Sequence, residues 1–547
     1  MFITQQTNQY LMKKNYLTYA FGAFLLFQYT AFAQQPGSLD QTFGTGGKVT
    51  YNAEHPSTNG ARIKLLPNGK LLSAGYSNIP DSGSDSDLLL MQFNADGSID
   101  TEFGDNGSTL FDKDNRYEEA LAICLVGEKS LVAINMFGSG VLEAGFVRFN
   151  ADGSIDTTFG TNGYAAHSIE GKHLLIADMV TLPDGKILAV GDAINASMDP
   201  NRHWFVGRYN ADMTPDTTFG NGLGYWIDPV EGGTHVVTGL AVNNDGKIIV
   251  AGQRPQLVWD AFAIMQFNSD GTVDTAFGNE GTTMFNFDTF VDYLHGISLQ
   301  EDGKIVLGGW TTNLVNIYHG GDFCVARLNI DGSLDNSFGT NGKAVYDMGL
   351  EPHEFALDVL VRKNGKMVLG GSMVINGQPD MGLLFLNSDG SPDTTFGPDG
   401  RVSTNFDNGP EEGFSESIFV LEEQPDGKII ASGKTAISSV AYSTLARYNV
   451  EQPTASVQQQ ELDKSVNVYP NPVSNVLYIK FNLPQEQDAQ IKLYNINGQE
   501  IATDYSGAKV SVYNNTIALN NFAALANGIY LVQVMAGNIT QTYKVVK

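Results

Sequence analysis

Three short marks recur in step along this chain, and each occurs seven times. The first is a Phe-Gly pair that closes phrases such as FNADGSIDTTFG; its phenylalanines are Phe43, Phe103, Phe159, Phe219, Phe277, Phe338 and Phe396. The second is the lysine after a short turn, as in PNGK or PDGK: Lys70, Lys129, Lys186, Lys247, Lys304, Lys366 and Lys428. The third is the asparagine ending an apolar run, at Asn94, Asn150, Asn210, Asn268, Asn329, Asn387 and Asn449. The spacing is about 59 residues per copy, and marks in step imply one supersecondary unit stacked on its own copies.

Each copy reads as β structure. A short run such as ALAICLV precedes the turn, and a β-rich run such as KIIVAG or KMVLGG follows it. Asn-Gly or Asp-Gly between such runs makes a tight hairpin, because glycine accepts the positive φ that the turn needs. A third run, FAIMQFN or FCVARLN, precedes the phrase, and a fourth, GKAVYDM, follows it. No segment of comparable length has helical periodicity. Four strands in each of seven copies predict an all-β fold, a seven-bladed β-propeller over residues 37–449. Small residues suit the crowded axis: Ala61, Ala120, Ala177, Gly239 and Gly296. The phrase then reverses the chain, its aspartate bonds local backbone, and its phenylalanine plugs the seam between blades. The lone strand 47–51 is expected to complete the last blade beside 443–449, joining both ends of the ring.

The pattern RFNADGSIDTTFGTNGY followed by LPDGKILAVGD resembles the delta-60 repeat family of bacteria. The pattern departs from the family at ADMTPD 211–216, where the turn glycine is missing, and at VGEK 126–129. That resemblance implies no activity. Residues 450–465 are polar and Gln-rich, a linker. From 466 to 547 the texture changes to short alternating strands, predicting a small Ig-like β-sandwich. The segments YPNP 469–472, LYNINGQ 493–499, GIYLVQV 528–534 and KVVK 544–547 resemble the type A sorting domain of the type IX secretion system of Bacteroidota. The resemblance implies the type IX machinery as a partner, with the tail an address and a surface-attached or released product. Residues 1–33 read as a signal peptide, with Lys13 and Lys14 before an apolar run that ends at Ala31-Phe32-Ala33. The initiating residue is Met1 or Met12. After cleavage no run is long enough to span a bilayer. The expected location is extracellular or the outer-membrane surface.

The net charge is −28, so the surface repels nucleic acid and anionic membranes. Cys124 and Cys324 lie in apolar runs and read as buried thiols. No motif of a metalloprotease, serine hydrolase or P-loop is present, so no catalytic residue is assigned. His173, His235, His295 and His353 fall near the start of four copies, with Glu118, Asp292 and Glu354 in similar places. A shared polar rim would bind a metal or sugar or do acid–base work; the plainer reading, a polar strand entry common to the repeat, is preferred, because the histidines do not share one exact register. Trp204 and Trp310 stand at loop–strand junctions, where rings either stack on sugars or pack in seams. No cofactor is expected, with Ca²⁺ the one candidate. Asp96, Asp100, Asp152, Asp156, Asp331 and Asp335 put oxygens on glycine turns, although the spacing departs from that of known Ca²⁺ loops and turns favour these residues anyway. The reading is a non-catalytic exported binding module for a glycan or protein; the alternative is a secreted polysaccharide lyase or hydrolase using rim His and acidic residues.

Overall fold

The computed structural model describes residues 35–450 and 466–547 apart from 53–56, 79–85, 139–140, 196–200, 231–234, 257–258, 288–290, 313–320, 348–353, 376, 398, 407–415, 438–439, 482–486, 496–499, 511–514, 520–521, 523–524, 527 and 537–538. The signal peptide, the linker from 451 and His353 therefore lie outside the described residues.

Seven antiparallel four-stranded sheets follow one another. Blades 1 to 6 span residues 57–111, 117–166, 172–227, 236–285, 291–346 and 355–404. Blade 7 takes three strands from 417–448 and its fourth from Lys48–Tyr51, which pairs with the strand Val440–Tyr448. Lys48 stands opposite Ala446 and Tyr51 opposite Ser443, so the ring closes as the repeat phase predicts.

The apolar core is not a single centre. Each buried cluster joins two neighbouring blades: Phe103 with Ile134 and Phe149 between blades 1 and 2, Phe159 with Ile187 and Phe205 between blades 2 and 3. The last cluster, with Phe43, Leu89, Ile430 and Leu445, joins blade 7 to blade 1. The seven phrase phenylalanines are all buried, none more than 5% exposed. Each contributes roughly 1.5–3 kcal/mol by burial. The turn glycine beneath the ring is required twice over. Gly153 has φ +84°, and a Cβ there would sit 2.8 Å from the Phe103 ring of the preceding blade. At the copy that lacks this glycine, Met213 takes φ 64° as a buried non-glycine residue, which costs about 1 kcal/mol.

Every first strand carries a bulge at the same place, for instance between Ile176 and Asp178 and between Leu294 and Gly296. These bulges line a narrow central channel of about 200 Å³. Gly296 is needed there, because a Cβ would meet the Val359 nitrogen of the next blade at 2.5 Å. The tail forms a three-stranded and a four-stranded sheet around one core, with Leu477 and Ile479 facing Ile491, Leu493, Val532 and Val534.

Candidate functional site

The repeated phrase builds an ion-pair ring. In each blade the lysine after the hairpin turn reaches a phrase aspartate: Lys70 to Asp100 at 2.6 Å, Lys129 to Asp156 at 2.7 Å, Lys186 to Asp216 at 2.7 Å, and likewise Lys247 to Asp274, Lys304 to Asp335 and Lys366 to Asp393. Blade 7 does it across the closure, Lys428 to Asp40 at 2.9 Å. Four blades add an arginine from the third strand: Arg148, Arg208, Arg327 and Arg447 each pair through Nε with the same aspartate at 2.6–2.8 Å. Their Nη1 groups donate to a backbone carbonyl in the next blade's turn, at Ala211, Ser269, Ser388 and Ala95. Their guanidinium groups lie 4.4–4.8 Å from the phrase rings Phe159, Phe219, Phe338 and Phe43. The network therefore runs from strand to turn to next blade, which is why the phrase is spelled so constantly.

The Ca²⁺ candidates fall into this scheme in two sets. Asp100, Asp156 and Asp335 already accept from lysine, with Gln92, Arg148 or Arg327 as second donor. Asp96, Asp152 and Asp331 each take the amide and hydroxyl of Ser98, Ser154 and Ser333 at 2.6–2.9 Å, closing their own turns. These hydrogen bonds hold all six below the ordinary carboxylate range, against the opposing pull of burial. At Asp40 burial acts upward and the Lys428, Thr42 and Arg447 contacts outweigh it, giving about 2.

The acids of the opposite rim also work between blades. Glu118 accepts from the Lys113 amide at 3.3 Å and Asp292 from the Phe287 amide at 2.8 Å. Glu416, which the sequence reading missed, accepts from the Phe406 amide at 2.9 Å. Each clamps the crossover arriving from the preceding blade's fourth strand. Glu354 holds the equivalent place and accepts from the Val374 amide at 3.4 Å; burial, with Asp322 and Asp347 nearby, raises it to about 7.

The histidines do not share a register. His235 sits at the same place as Glu118, 3.6 Å from Asp228. His173 is one residue earlier in phase and faces the Leu142 carbonyl at 2.8 Å. His295 is the bulge residue of blade 5 and lines the channel instead of the rim. Trp310 Nε1 donates to His295 Nε2 at 3.2 Å, and burial, with Arg62, depresses that imidazole to about 4. Trp204 is fully buried, 4.6 Å from the Arg254 guanidinium. Trp310 is half-buried and stacks on Tyr293 at 4.0 Å. Cys124 and Cys324 are free, buried thiols.

Sequence reasoning also missed the channel charges. Arg62, Asp178 and Asp358 follow the bulge in blades 1, 3 and 6. Asp178 and Asp358 accept from the Leu240 and Leu421 amides of the next blades at 3.0 and 2.8 Å. Burial raises Asp358 to about 7. The signal was present as a charged residue at a position where other copies carry Ala, Gly or Val.

A cavity of about 630 Å³ opens between blades 1 and 2 on the phrase face. Gln92, Asp100, Glu102 and Phe103 line one side, Glu128 and Ala151 the other.

Two family models match the chain. Residues 66–103, 135–159, 182–219, 244–277, 300–338, 362–396 and 424–450 match the domain of unknown function (DUF5122) beta-propeller. Residues 467–547 match the secretion system C-terminal sorting domain. The chain is a DUF5122 propeller with a sorting tail. That tail implies export through the type IX machinery to an extracellular or cell-surface location. No curated protein matches this DUF5122 propeller. Similar solved structures include YCF48 bound to D1 peptide, at 12% identity and TM-score 0.38, covering 77% of this chain and 100% of that one. A Trypanosoma rangeli sialidase mutant with trans-sialidase activity covers 93% of this chain and 88% of its own, at 8% identity and TM-score 0.37. Chaetomium thermophilum Sqt1 covers 75% and 98%, at 12% identity and TM-score 0.39. At such scores these likenesses carry no functional argument. Among the described residues no helix is long and apolar enough to cross a membrane.

Proposed function

We propose that this DUF5122 propeller is a non-catalytic binding module, exported to the cell surface or the medium, for a glycan or protein partner. One observation carries the reading: Glu118, Asp292 and Glu416 are tied to separate crossovers. Glu118 serves Lys113, Asp292 serves Phe287 and Glu416 serves Phe406. A general acid and base need a common reacting atom between them, and these three, each at a different blade junction, do not share one. Carboxylates do converge at one junction, where Asp87, Asp112 and Glu118 lie within 4.8 Å of one another. His295, the imidazole facing the channel, is held neutral near pH 7 by burial, and its Nε2 accepts a hydrogen bond from the Trp310 indole N–H.

The test uses the full exported chain. Screening it on a glycan array and against surface proteins of the producing cell is expected to give saturable binding. Incubation with polysaccharides is expected to release no reducing ends and no unsaturated products. Turnover that falls on substitution of Glu354 or His295 would replace this reading with the enzymatic one.

A further inference from the structure

The seam between blades 1 and 2 departs from its counterparts at three positions, and all three changes face one cavity. Where four blades carry an arginine, blade 1 carries Gln92. Where Thr42, Thr218 and Ser337 accept from arginine Nη2 at 2.9–3.2 Å, blade 1 carries Glu102. The hairpin of blade 2 is one residue shorter than the others: Val126-Gly127-Glu128 lie between Leu125 and Lys129, where Leu66-Pro67-Asn68-Gly69 lie between Leu65 and Lys70. The shorter hairpin removes a wall, and the shorter side chain removes the filling.

Gln92 replaces half of the arginine. Its amide donates to Asp100 at 2.8 Å, the place of the arginine Nε. Phe103 stays covered, at 2% exposed. The outer half of the socket is what opens into the cavity. There the Ala151 carbonyl occupies the position of Ala211, Ser269, Ser388 and Ala95, each of which receives an arginine Nη1. Beside it stands Glu102, exposed and without an ion-pair partner among the described residues, with Glu128 across the opening.

We propose that this open seam binds an arginine side chain of a partner polypeptide, one guanidinium edge on the Ala151 carbonyl and the other on the Glu102 carboxylate. The molecule itself displays the geometry three times with its own arginines, Arg208, Arg327 and Arg447, and the carbonyl half of it a fourth time with Arg148. The carboxylate in place of a hydroxyl makes the pairing charge-assisted and selective for a planar fork over an ammonium. A volume of about 630 Å³ exceeds one guanidinium and admits the residues flanking it, which favours a peptide over a free amino acid. The other blade with glutamine, blade 4, lacks the acid: Ala276 stands in place of Glu102, the next hairpin has full length, and Ile330 replaces Ala151 and lies over the Gly303 turn, at 3.3 Å from a Cβ built there.

This rests on the binding-module reading and is tested separately from it. The full chain is titrated calorimetrically with acetyl-Gly-Arg-Gly-amide and with its lysine and citrulline counterparts. The arginine peptide is expected to bind, with the citrulline peptide at least about tenfold weaker. Gln92→Arg fills the socket from within using the residue of four other blades, so the fold persists, and affinity is expected to fall at least about tenfold. Glu102→Thr, again a residue other copies use, has the same expected effect; Gln266→Arg in blade 4 leaves binding unchanged. Equal affinity in wild type and Gln92→Arg, equal binding of the citrulline peptide, or no binding at about 10 mM peptide overturns the proposal. A glycan or protein ligand held equally by wild type and Gln92→Arg removes this site while leaving the propeller a binding module.

Discussion

The seams after blades 1 and 2 are written in almost the same letters, FNADGSIDTEFGDNG and FNADGSIDTTFGTNG, yet one is open and the other closed. In the closed seam Asp156 holds both Lys129 and Arg148, and Arg148 continues to the Ala211 carbonyl of blade 3. In the open one Asp100 holds Lys70 and the neutral Gln92, and the bridge to blade 2 stops short. The phrase thus supplies the turn and the plug in both. What differs is Gln92 before the phrase, Glu102 within it and the shorter hairpin across the seam. A repeat can therefore conserve its mechanics while a few local changes decide whether a junction is structure or surface.

Substitutions sharpen that contrast. Asp156→Ala strands a lysine and an arginine at a buried carboxylate site, and is expected to cost about 3–5 kcal/mol in denaturant unfolding. Asp100→Ala strands one lysine and one amide and is expected to cost about 1–3 kcal/mol. Equal losses would erase the distinction between the seams.

Acid is the next probe. Asp156 and Asp100 are both held below the ordinary carboxylate range, so their contribution is complete above about pH 4 and is lost as pH falls further. Asp358 in the channel has the opposite sign. Raised to about 7 by burial, it favours the folded state at low pH, and its contribution is lost as pH rises from about 4 through 7. Melting temperatures from pH 3 to 8 are expected to lose their acid limb in part with Asp156→Asn and to flatten on the neutral side with Asp358→Asn.

Gln92→Arg, which converts the open seam to the closed type, is expected to stabilise by about 0.5–1 kcal/mol through the added ring and carbonyl contacts. Smallest of all is Ca²⁺: because Asp96, Asp152 and Asp331 already accept from their serines, millimolar Ca²⁺ is expected to leave the melting temperature unchanged.

The architecture was legible because its evidence is periodic. Lys70, Phe103 and Asn94 recur in phase, and phase survives without any knowledge of contacts. The closing strand 48–51 followed from the same count. The polar sites were not legible for the same reason. His173, His235 and His295 stand at different distances from the turn lysine, and only the position of the bulge shows what each distance means: His235 is at the rim, His173 a residue off it and His295 in the channel. Asp358 and Glu416 owe their importance to backbone amides outside their own sheets, Leu421 in the next blade and Phe406 in the arriving crossover, which the sequence text does not mark. The TEFG of blade 1 was in plain view; its meaning needed the arginines of the other blades as a template.

The strand Lys48–Tyr51 waits for a mate that is synthesised about 400 residues later. Until that mate appears the chain carries an unfinished edge, open to pairing with strangers. Completion coincides with the appearance of Val440–Tyr448, immediately ahead of the sorting tail. Any cut between those two strands yields a fragment unable to finish itself, whereas removal of everything past Val450 leaves the hoop fastened.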